Sequence, residues 1–130
     1  MMHRELFSSG TRWESEVGYS RAVKVGPHIY VSGTTATGAH GEVIGLGDPA
    51  AQMRQCLANI EASLHELGAK LSDVVRTRIY TVDIEAWESI GRVHEEAFGG
   101  IRPATSMIEV SRLISPELLV EVEADACIAM

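Results

Sequence analysis

The sequence predicts an α/β (α+β) fold, in which two helices cover one face of a mixed β-sheet. A long amphipathic helical pattern in the middle of the chain is followed by a β-rich segment, a second helical pattern and two more β-rich segments. A strand–helix–strand order needs a crossover, and the simplest arrangement places both helices on the same sheet face. The length of 130 residues is that of one domain, which we expect to span residues 1–130.

The first part of the chain is predicted to be mainly extended. Residues 3–8 are a candidate edge strand, and residues 21–25 and 28–32 flank Gly26-Pro27 as the two arms of a hairpin. Glycines then recur between Ala36 and Gly47, which predicts a long loop with a short ribbon. Because this loop lacks the Gly-Lys-Ser/Thr ending of a phosphate-binding loop, we interpret its glycines as turn residues.

The clearest predicted helix begins at Asp48 and Pro49. The Asp48 side chain can accept hydrogen bonds from the free amides of the first turn, and a proline at the first helical position sacrifices no hydrogen bond. Apolar residues then recur at helical spacing, namely Met53, Cys56, Leu57, Ile60, Leu64 and Leu67. Gly68 is predicted to end this helix in a left-handed cap. A weaker second helix is predicted from about Glu85 to Phe98, ended by Gly99-Gly100.

Three further strands are predicted at Val75–Val82, Ala104–Val110 and Leu118–Ile128. In the last of them apolar and mostly acidic side chains alternate, so one face suits the core and the other carries charge. The charged face holds three carboxylates, Glu121, Glu123 and Asp125.

These three carboxylates repel one another unless they are solvated or paired. Arg76 and Arg78 share one face of a neighbouring predicted strand and are candidate partners. A metal site built from the three carboxylates is the alternative, but ion pairing explains the pattern more simply. A face that mixes charge with apolar residues suits either solvent or a subunit interface, and we favour the interface.

Composition narrows the function classes. The chain carries 18 Asp and Glu against 11 Lys and Arg, a formal charge of -7, which opposes general affinity for nucleic acid. Its five histidines have no metal-ligand spacing, and Cys56 and Cys127 are expected to be buried thiols. We see neither a signal peptide nor an apolar run of the roughly 18 residues that a membrane helix needs. The chain is therefore expected to be cytoplasmic, with no metal and no nucleic-acid or membrane partner.

Ser32 lies in the segment Val31-Ser32-Gly33, which is not a nucleophile elbow, because that motif is Gly-x-Ser-x-Gly between a strand and a helix. No histidine and acid are placed by the sequence to complete a catalytic triad. The Ser32 hydroxyl either donates a hydrogen bond to a ligand or caps a turn.

Seven short stretches, in this order, resemble a known family. They read YSRAV at 19–23, IYVSG at 29–33, QMRQCLANI at 52–60, LGA at 67–69, DVVRT at 73–77, RPATSMIEV at 102–110 and LVEVEA at 119–124. Together they are similar to the Rid family, also called YjgF-like or L-PSP proteins, from about residue 19 onward. The resemblance implies a chorismate mutase-like outline and a homotrimer with small-molecule pockets between its subunits. It also implies hydrolysis of enamines or imines, such as 2-aminoacrylate, to a keto acid and ammonia without a cofactor.

The resemblance also implies a set of site residues. Glu121 matches the carboxylate thought to position water or relay protons, and Tyr19 and Ser32 match a phenol and a hydroxyl of the pocket. Thr105 stands where the best-known branch has the arginine that grips the substrate carboxylate. A neutral hydroxyl cannot replace that charge-assisted contact, which is worth about 1.5–3 kcal/mol.

Two further pocket positions differ from the best-known branch, since Gly91 replaces an asparagine and Met107 a frequent cysteine. Arg21 is a candidate substitute for the missing anion contact, because strand alternation places it on the same side of the hairpin as Tyr19. Arg102 is the other candidate, although a surface arginine at the end of the second helix is the simpler interpretation.

We therefore expect a Rid-family protein with an inter-subunit pocket for an enamine, imine or keto acid, diverged from 2-aminoacrylate hydrolysis. The alternative is a non-catalytic module that binds a metabolite or another protein through the same cleft. A ribonuclease is disfavoured by the charge of -7 and by the aromatic content of 5%.

Overall fold

Six strands form one mixed sheet in the computed structural model, which describes residues 3–129. They are β1 (Arg4–Phe7), β2 (Ala22–Val25), β3 (His28–Thr34), β4 (Val74–Thr81), β5 (Ala104–Glu109) and β6 (Val120–Cys127). Their spatial order is β1-β2-β3-β6-β4-β5. Only β4 and β5 pair in parallel, because a helix connects them as a crossover. The predicted hairpin, edge strand and mixed sheet are therefore present.

The three α-helices of the described chain are α1 (Arg12–Val17), α2 (Pro49–Glu66) and α3 (Trp87–Phe98). The start of α2 is as predicted, since the Asp48 side chain accepts a hydrogen bond from the Ala51 amide at 3.1 Å. Gly68 after it has the left-handed φ of 82°. No helix within residues 3–129 is long and apolar enough to cross a bilayer.

The ends of α3 differ in detail from the sequence prediction. Residues Ile84–Ala86 form a separate 3₁₀ turn, which the Asp83 side chain caps by accepting from the Glu85 amide at 3.0 Å. The helix stops before Gly99-Gly100 as predicted, but Gly99 remains right-handed. The left-handed residue is Arg102, with φ of 57°, and its amide donates to the Phe98 carbonyl at 2.7 Å. Arg102 thus terminates the helix, as its simpler interpretation required.

One hydrophobic core lies between the sheet and the helices. It is formed by the inward side chains of β6 and of its neighbours together with the apolar stripes of α2 and α3, including Val120, Val122, Ala124, Met53, Ile60, Ile90 and Phe98. Every second residue of β6 is buried, which is the predicted alternation. Each fully buried Val, Ile, Met or Phe side chain stabilises the fold by about 1.5–3 kcal/mol.

The opposite side of the sheet, here called the open face, carries the charged residues of β6. Arg78 pairs with Asp125 at 3.3 Å, and the Tyr80 hydroxyl donates to Glu123 at 2.5 Å. The predicted pairing by Arg78 is confirmed. Exposed apolar side chains lie on the same face, namely Leu6, Tyr30 and Ile108.

Helix α1 was not predicted, and it depends on a buried carboxylate. Glu14 is only 4% exposed and accepts hydrogen bonds from the hydroxyls of Ser8 at 2.7 Å and Thr11 at 2.9 Å and from the Ser9 amide at 3.1 Å. The Ser9 hydroxyl also donates to it. Burial by itself raises the pKa of Glu14, but the hydrogen bonds from Ser9, Ser8 and Thr11 outweigh it and hold the pKa below the usual value.

Candidate functional site

Glu121 sits on the open face over a break in the neighbouring strand. The register of β3 against β6 shifts between Val31 and Thr34, and Gly33 lies inside this irregularity. A Cβ atom at Gly33 would overlap Oε2 of Glu121, so the carboxylate occupies the space that any other side chain would fill. The glycine is thus required by close approach rather than by its backbone angles.

Arg21 lies beside this carboxylate. Its Nη2 donates to the Gly33 carbonyl at 2.6 Å, and its guanidinium carbon is 5.7 Å from the centre of the Tyr19 ring. Its Nε is buried, and among residues 3–129 it has no hydrogen-bond partner. Half-burial raises the pKa of Glu121 above its usual value, while the positive charge of Arg21 lowers it and Glu123 adds to the rise. Tyr19, Arg21 and Glu121 are therefore brought together, with Arg21 on the side of the hairpin expected from strand alternation.

Ser32 lies next to this group, but its proton is already used. Its hydroxyl donates to the Ser20 carbonyl at 2.7 Å, and its amide donates to the Arg21 carbonyl at 3.0 Å. The hydroxyl therefore bonds a backbone carbonyl twelve residues earlier instead of capping a turn, and its contact with a ligand stays a prediction. The oxygen can still accept a hydrogen bond from a ligand.

A groove of about 760 Å³ opens beside Glu121, between it and the loop that leads into β6. The loop contributes Arg112, Leu113, Ile114 and Pro116. Arg112 is a cation that sequence reasoning did not select, because no motif marks it and its position depends on the path of the loop. We call Tyr19, Arg21, Ser32, Gly33 and Glu121 the Glu121 half-site. A separate groove near the C-terminal end of α2 contains none of the predicted site residues.

Thr105 and Met107 lie elsewhere, on the edge strand β5. They pair in register with Thr77 and Ile79, which are both buried under the helices, so their side chains project toward the helix side of the sheet. Thr77 donates to the Thr105 hydroxyl oxygen at 2.7 Å and lies 2.8 Å from Nε2 of His94.

Gly91 is one helical turn before His94 on α3. Apart from its chain neighbours and the backbone of α3, no atom of residues 3–129 lies within 4 Å of the position that a Cβ atom would take there. The absence of a side chain therefore leaves open space at this position of α3. We call Thr77, Gly91, His94, Thr105 and Met107 the Thr105 half-site.

The two half-sites are on opposite faces of the sheet. On β4, Thr77 points to the helices, whereas Tyr80 pairs with Glu121 and points to the open face. One chain therefore does not enclose a ligand between Thr105 and Glu121. It divides the predicted site residues into two groups, one on each face of the sheet.

Comparison with known proteins gives a consistent result. The family model described as Endoribonuclease L-PSP matches residues 9–128. A RutC family protein of Pyrococcus abyssi is 39% identical over 108 residues, which cover 83% of this chain and 84% of the relative. An uncharacterized protein of Streptomyces coelicolor is 34% identical over 119 residues, which cover 91% of this chain and 87% of the relative.

Among solved structures, the chain is similar to a crystal structure from Mycobacterium tuberculosis. That protein, Rv2704, is described as a member of the highly conserved YjgF/YER057c/UK114 family. It is 54% identical, with a TM-score of 0.89, over 97% of this chain and 100% of that one.

Proposed function

The chain belongs to the L-PSP family, also called YjgF or Rid, and on this premise we propose that it takes a small enamine, imine or keto acid into a pocket between subunits. The observation that carries the proposal is the division of the candidate site between the two faces of the sheet. A pocket that contains both Glu121 and Thr105 needs two copies of the chain. We propose that residues 1–130 act as one domain and that three such domains form a homotrimer.

The open face supports assembly. Leu6, Tyr30 and Ile108 are 59%, 50% and 45% exposed there, next to ion-paired and hydrogen-bonded charges. Exposed apolar side chains within a polar surround are typical of subunit contacts. The edge strand β5 also has an unpaired side, which a neighbouring chain can cover.

The proposed chemistry is hydrolysis of a C=N bond. Water adds to the carbon, the C–N bond of the resulting carbinolamine breaks, and the products are a keto compound and ammonia. Glu121 is suited to take the proton of the attacking water and return it to the nitrogen, since half-burial raises its pKa toward the working pH. No cofactor enters this scheme, and we expect it to operate in the cytoplasm.

Arg21 is proposed as the anion contact of this pocket. Its Nη2 donates to the Gly33 carbonyl, its Nε is buried without a partner among residues 3–129, and it lies beside the groove-lining Glu121. With Nη2 held by the Gly33 carbonyl and Nε buried, we propose that Nη1 is the donor left for a ligand carboxylate. Thr105 cannot supply such a contact, so we propose that the substrate differs from 2-aminoacrylate.

The test is ammonia release from freshly generated iminopyruvate, compared with a relative that carries the arginine at the position of Thr105. We expect the native protein to be slower by roughly tenfold or more, the equivalent of about 1.4 kcal/mol or more of binding at the transition state. Thr105→Arg should reduce the difference in rate between the two proteins, and Glu121→Gln should remove the ammonia release. Equal turnover by the native protein and the relative would contradict the divergence.

A substrate screen separates the enzyme from the non-catalytic alternative. Imines generated from several amino acids would be supplied to the native protein and to Glu121→Gln. Turnover of at least one imine that depends on Glu121 supports the hydrolase. Binding of the keto acids without any turnover would instead favour a metabolite-binding module.

RNA cleavage is a second candidate only because the matching family is described as an endoribonuclease. The net charge of -7 and the carboxylates of β6 repel phosphates, so we expect no cleavage of RNA at physiological salt. Cleavage that a single substitution in either half-site abolished would overturn this expectation.

A further inference from the structure

His94 is a half-buried histidine to which the proposed function gives no role. It lies on α3 with its ring centroid 4.7 Å from that of Phe98, and its Nε2 is 2.8 Å from the Thr77 hydroxyl. Burial lowers the pKa of His94 below its usual value of 6.5, so the ring is neutral at neutral pH. A neutral imidazole has one N–H and one bare nitrogen, and its neighbours decide which is which.

The direction of the hydrogen bonds identifies the N–H. Thr77 Oγ1 donates its only proton to Thr105 Oγ1 at 2.7 Å. The contact between Thr77 and Nε2 of His94 therefore needs a proton from the imidazole, so Nε2 carries it. Thr77 is fully buried, and in this arrangement its hydroxyl both donates and accepts, which avoids the cost of an unpaired buried group.

The chain of hydrogen bonds ends at an exposed hydroxyl. Thr105 accepts from Thr77, so its own proton is free, and the residue is exposed on the edge strand. Each bond polarises the next, which makes the terminal hydroxyl a better donor than an isolated threonine. Met107 lies on the same face of β5, so the polar group that this strand presents there is the directed Thr105 donor.

We infer that His94 and Thr77 are positioning residues that fix the Thr105 hydroxyl as a hydrogen-bond donor to an uncharged acceptor of the ligand, its carbonyl oxygen or neutral imine nitrogen. The inference rests on the proposed function and specifies how that pocket holds the reacting C=O or C=N group. The inference also assigns the two ends of the ligand to different residues. The ligand carboxylate binds beside Arg21, and the neutral C=O or C=N group binds beside Thr105.

The first test uses the free protein and does not depend on any ligand. Long-range ¹H–¹⁵N NMR of the histidine rings distinguishes the two neutral tautomers, and the signals of His94 are assigned from their loss in His94→Gln. We expect the Nε2–H tautomer in the native protein. In Thr77→Val, which removes the acceptor, we expect a shift toward the other tautomer. An Nδ1–H tautomer in the native protein would overturn the inference.

The second test measures binding of two probes, 2-oxobutyrate and its uncharged amide, 2-oxobutyramide, by calorimetry. We expect Thr105→Val and His94→Leu to weaken both probes by roughly three- to tenfold, the value of one hydrogen bond. His94→Gln should restore near-native binding, because its amide N–H can still donate to Thr77. A purely structural role for His94 would not distinguish glutamine from leucine in correctly folded protein.

The outcomes separate the inference from the proposed function. If 2-oxobutyrate binds equally well to native protein, Thr105→Val and His94→Leu, the inference about His94 and Thr77 is wrong. The proposed ligand pocket would still be supported by that binding. If neither probe binds the native protein, the proposed function fails and the assigned ligand class fails with it. Thermal unfolding of each variant shows that the measurements are made on folded protein.

Discussion

At the scale of single residues, the position of Glu121 depends on a side chain that is absent. Gly33 leaves the space in which the carboxylate lies, and Arg21 binds the Gly33 carbonyl and places a positive charge nearby. The pKa of Glu121 is then a balance between burial, which raises it, and Arg21, which lowers it. The acid–base behaviour of the site is therefore controlled by its immediate neighbours.

Gly33→Ala tests this arrangement. Because the new methyl group overlaps Oε2 of Glu121, we expect the carboxylate to move toward solvent and its raised pKa to fall toward the ordinary 4.5. The pKa is measured by NMR titration of the labelled carboxyl carbon. Ser32→Ala is the matched control, since the Ser32 hydroxyl bonds Ser20 rather than Glu121. An unchanged titration in Gly33→Ala would show that the contact does not hold the carboxylate.

The two cysteines are predicted to differ in reactivity. Burial, with a smaller contribution from the charge of Glu121, raises the pKa of Cys56 to about 12, whereas Cys127 is partly exposed on the open face. Only a thiolate is alkylated, so iodoacetamide at pH 8 should label Cys127 far faster than Cys56 in native protein. Peptide mass spectrometry measures both rates. Equal labelling in folded protein would contradict the burial of Cys56, and equal labelling in denaturant is the control.

The site residues differ in how far the sequence could predict them. Alternation along a strand is a local property, so the placement of Arg21 with Tyr19 followed from the sequence. Glu121 and Thr105 came from a resemblance, which does not reveal that they lie on opposite faces of one chain. The closeness of Gly33 to Glu121 and the place of Arg112 depend on a strand irregularity and a loop, which no local pattern encodes.

At the scale of elements, α1 is short and is held by one carboxylate. Six residues are too few for a stable isolated helix, so its order comes from Glu14 and the hydroxyls and amide that bond to it. The amides of Gly18 and Tyr19 also donate to the Glu14 carbonyl, each at 2.9 Å. Through its side chain and its carbonyl, Glu14 therefore connects the N-terminal segment to Tyr19, which belongs to the Glu121 half-site.

Glu14→Gln is expected to lower the free energy of unfolding at neutral pH by about 1–3 kcal/mol, because the charge-assisted hydrogen bonds to its partly buried carboxylate are lost. The folded pKa of Glu14 is depressed, so its stabilisation is present above the unfolded pKa near 4.5 and is lost as pH falls through the lower folded pKa. The stability difference between native and variant should therefore shrink in acid. Urea titrations between pH 7 and pH 3 measure it, with exposed Glu16→Gln as control. A stability difference that does not change with pH would contradict a stabilisation that comes from the ionised Glu14 carboxylate.

The long elements were predictable and the short ones were not. Asp48-Pro49 and Gly68 delimit α2 through local capping chemistry, and strict alternation identified β6. Helix α1 has no periodic apolar stripe. The sequence feature that could have indicated α1 is the run of hydroxyl residues before Glu14. That run predicts a helix only when the Glu14 carboxylate is known to be buried and to accept their hydrogen bonds.

At the scale of the whole molecule, two features of the acidic chain support the proposed assembly. Its sheet separates Glu121 from Thr105, and its open face exposes apolar side chains among paired charges. Both features have one explanation if a second copy brings its Thr105 half-site to the first copy's Glu121 half-site. Although the chain carries a net charge of -7, the proposed function assigns the recognition of an anion to Arg21 and the groove beside it.

The most direct test of this shared pocket is complementation between two variants that each lack binding. Arg21→Leu removes the anion contact of one half-site, and Gly91→Phe fills the open space of the other. Light scattering first establishes the mass of the assembly, expected to be three times the 14.1 kDa chain. The variants are then co-expressed in equal amounts, and binding sites for 2-oxobutyrate are counted by calorimetry. Random mixing should restore about one quarter of the native sites, because each site takes its two halves from adjacent chains. A monomeric protein, or mixed assemblies without any restored site, would contradict the shared pocket.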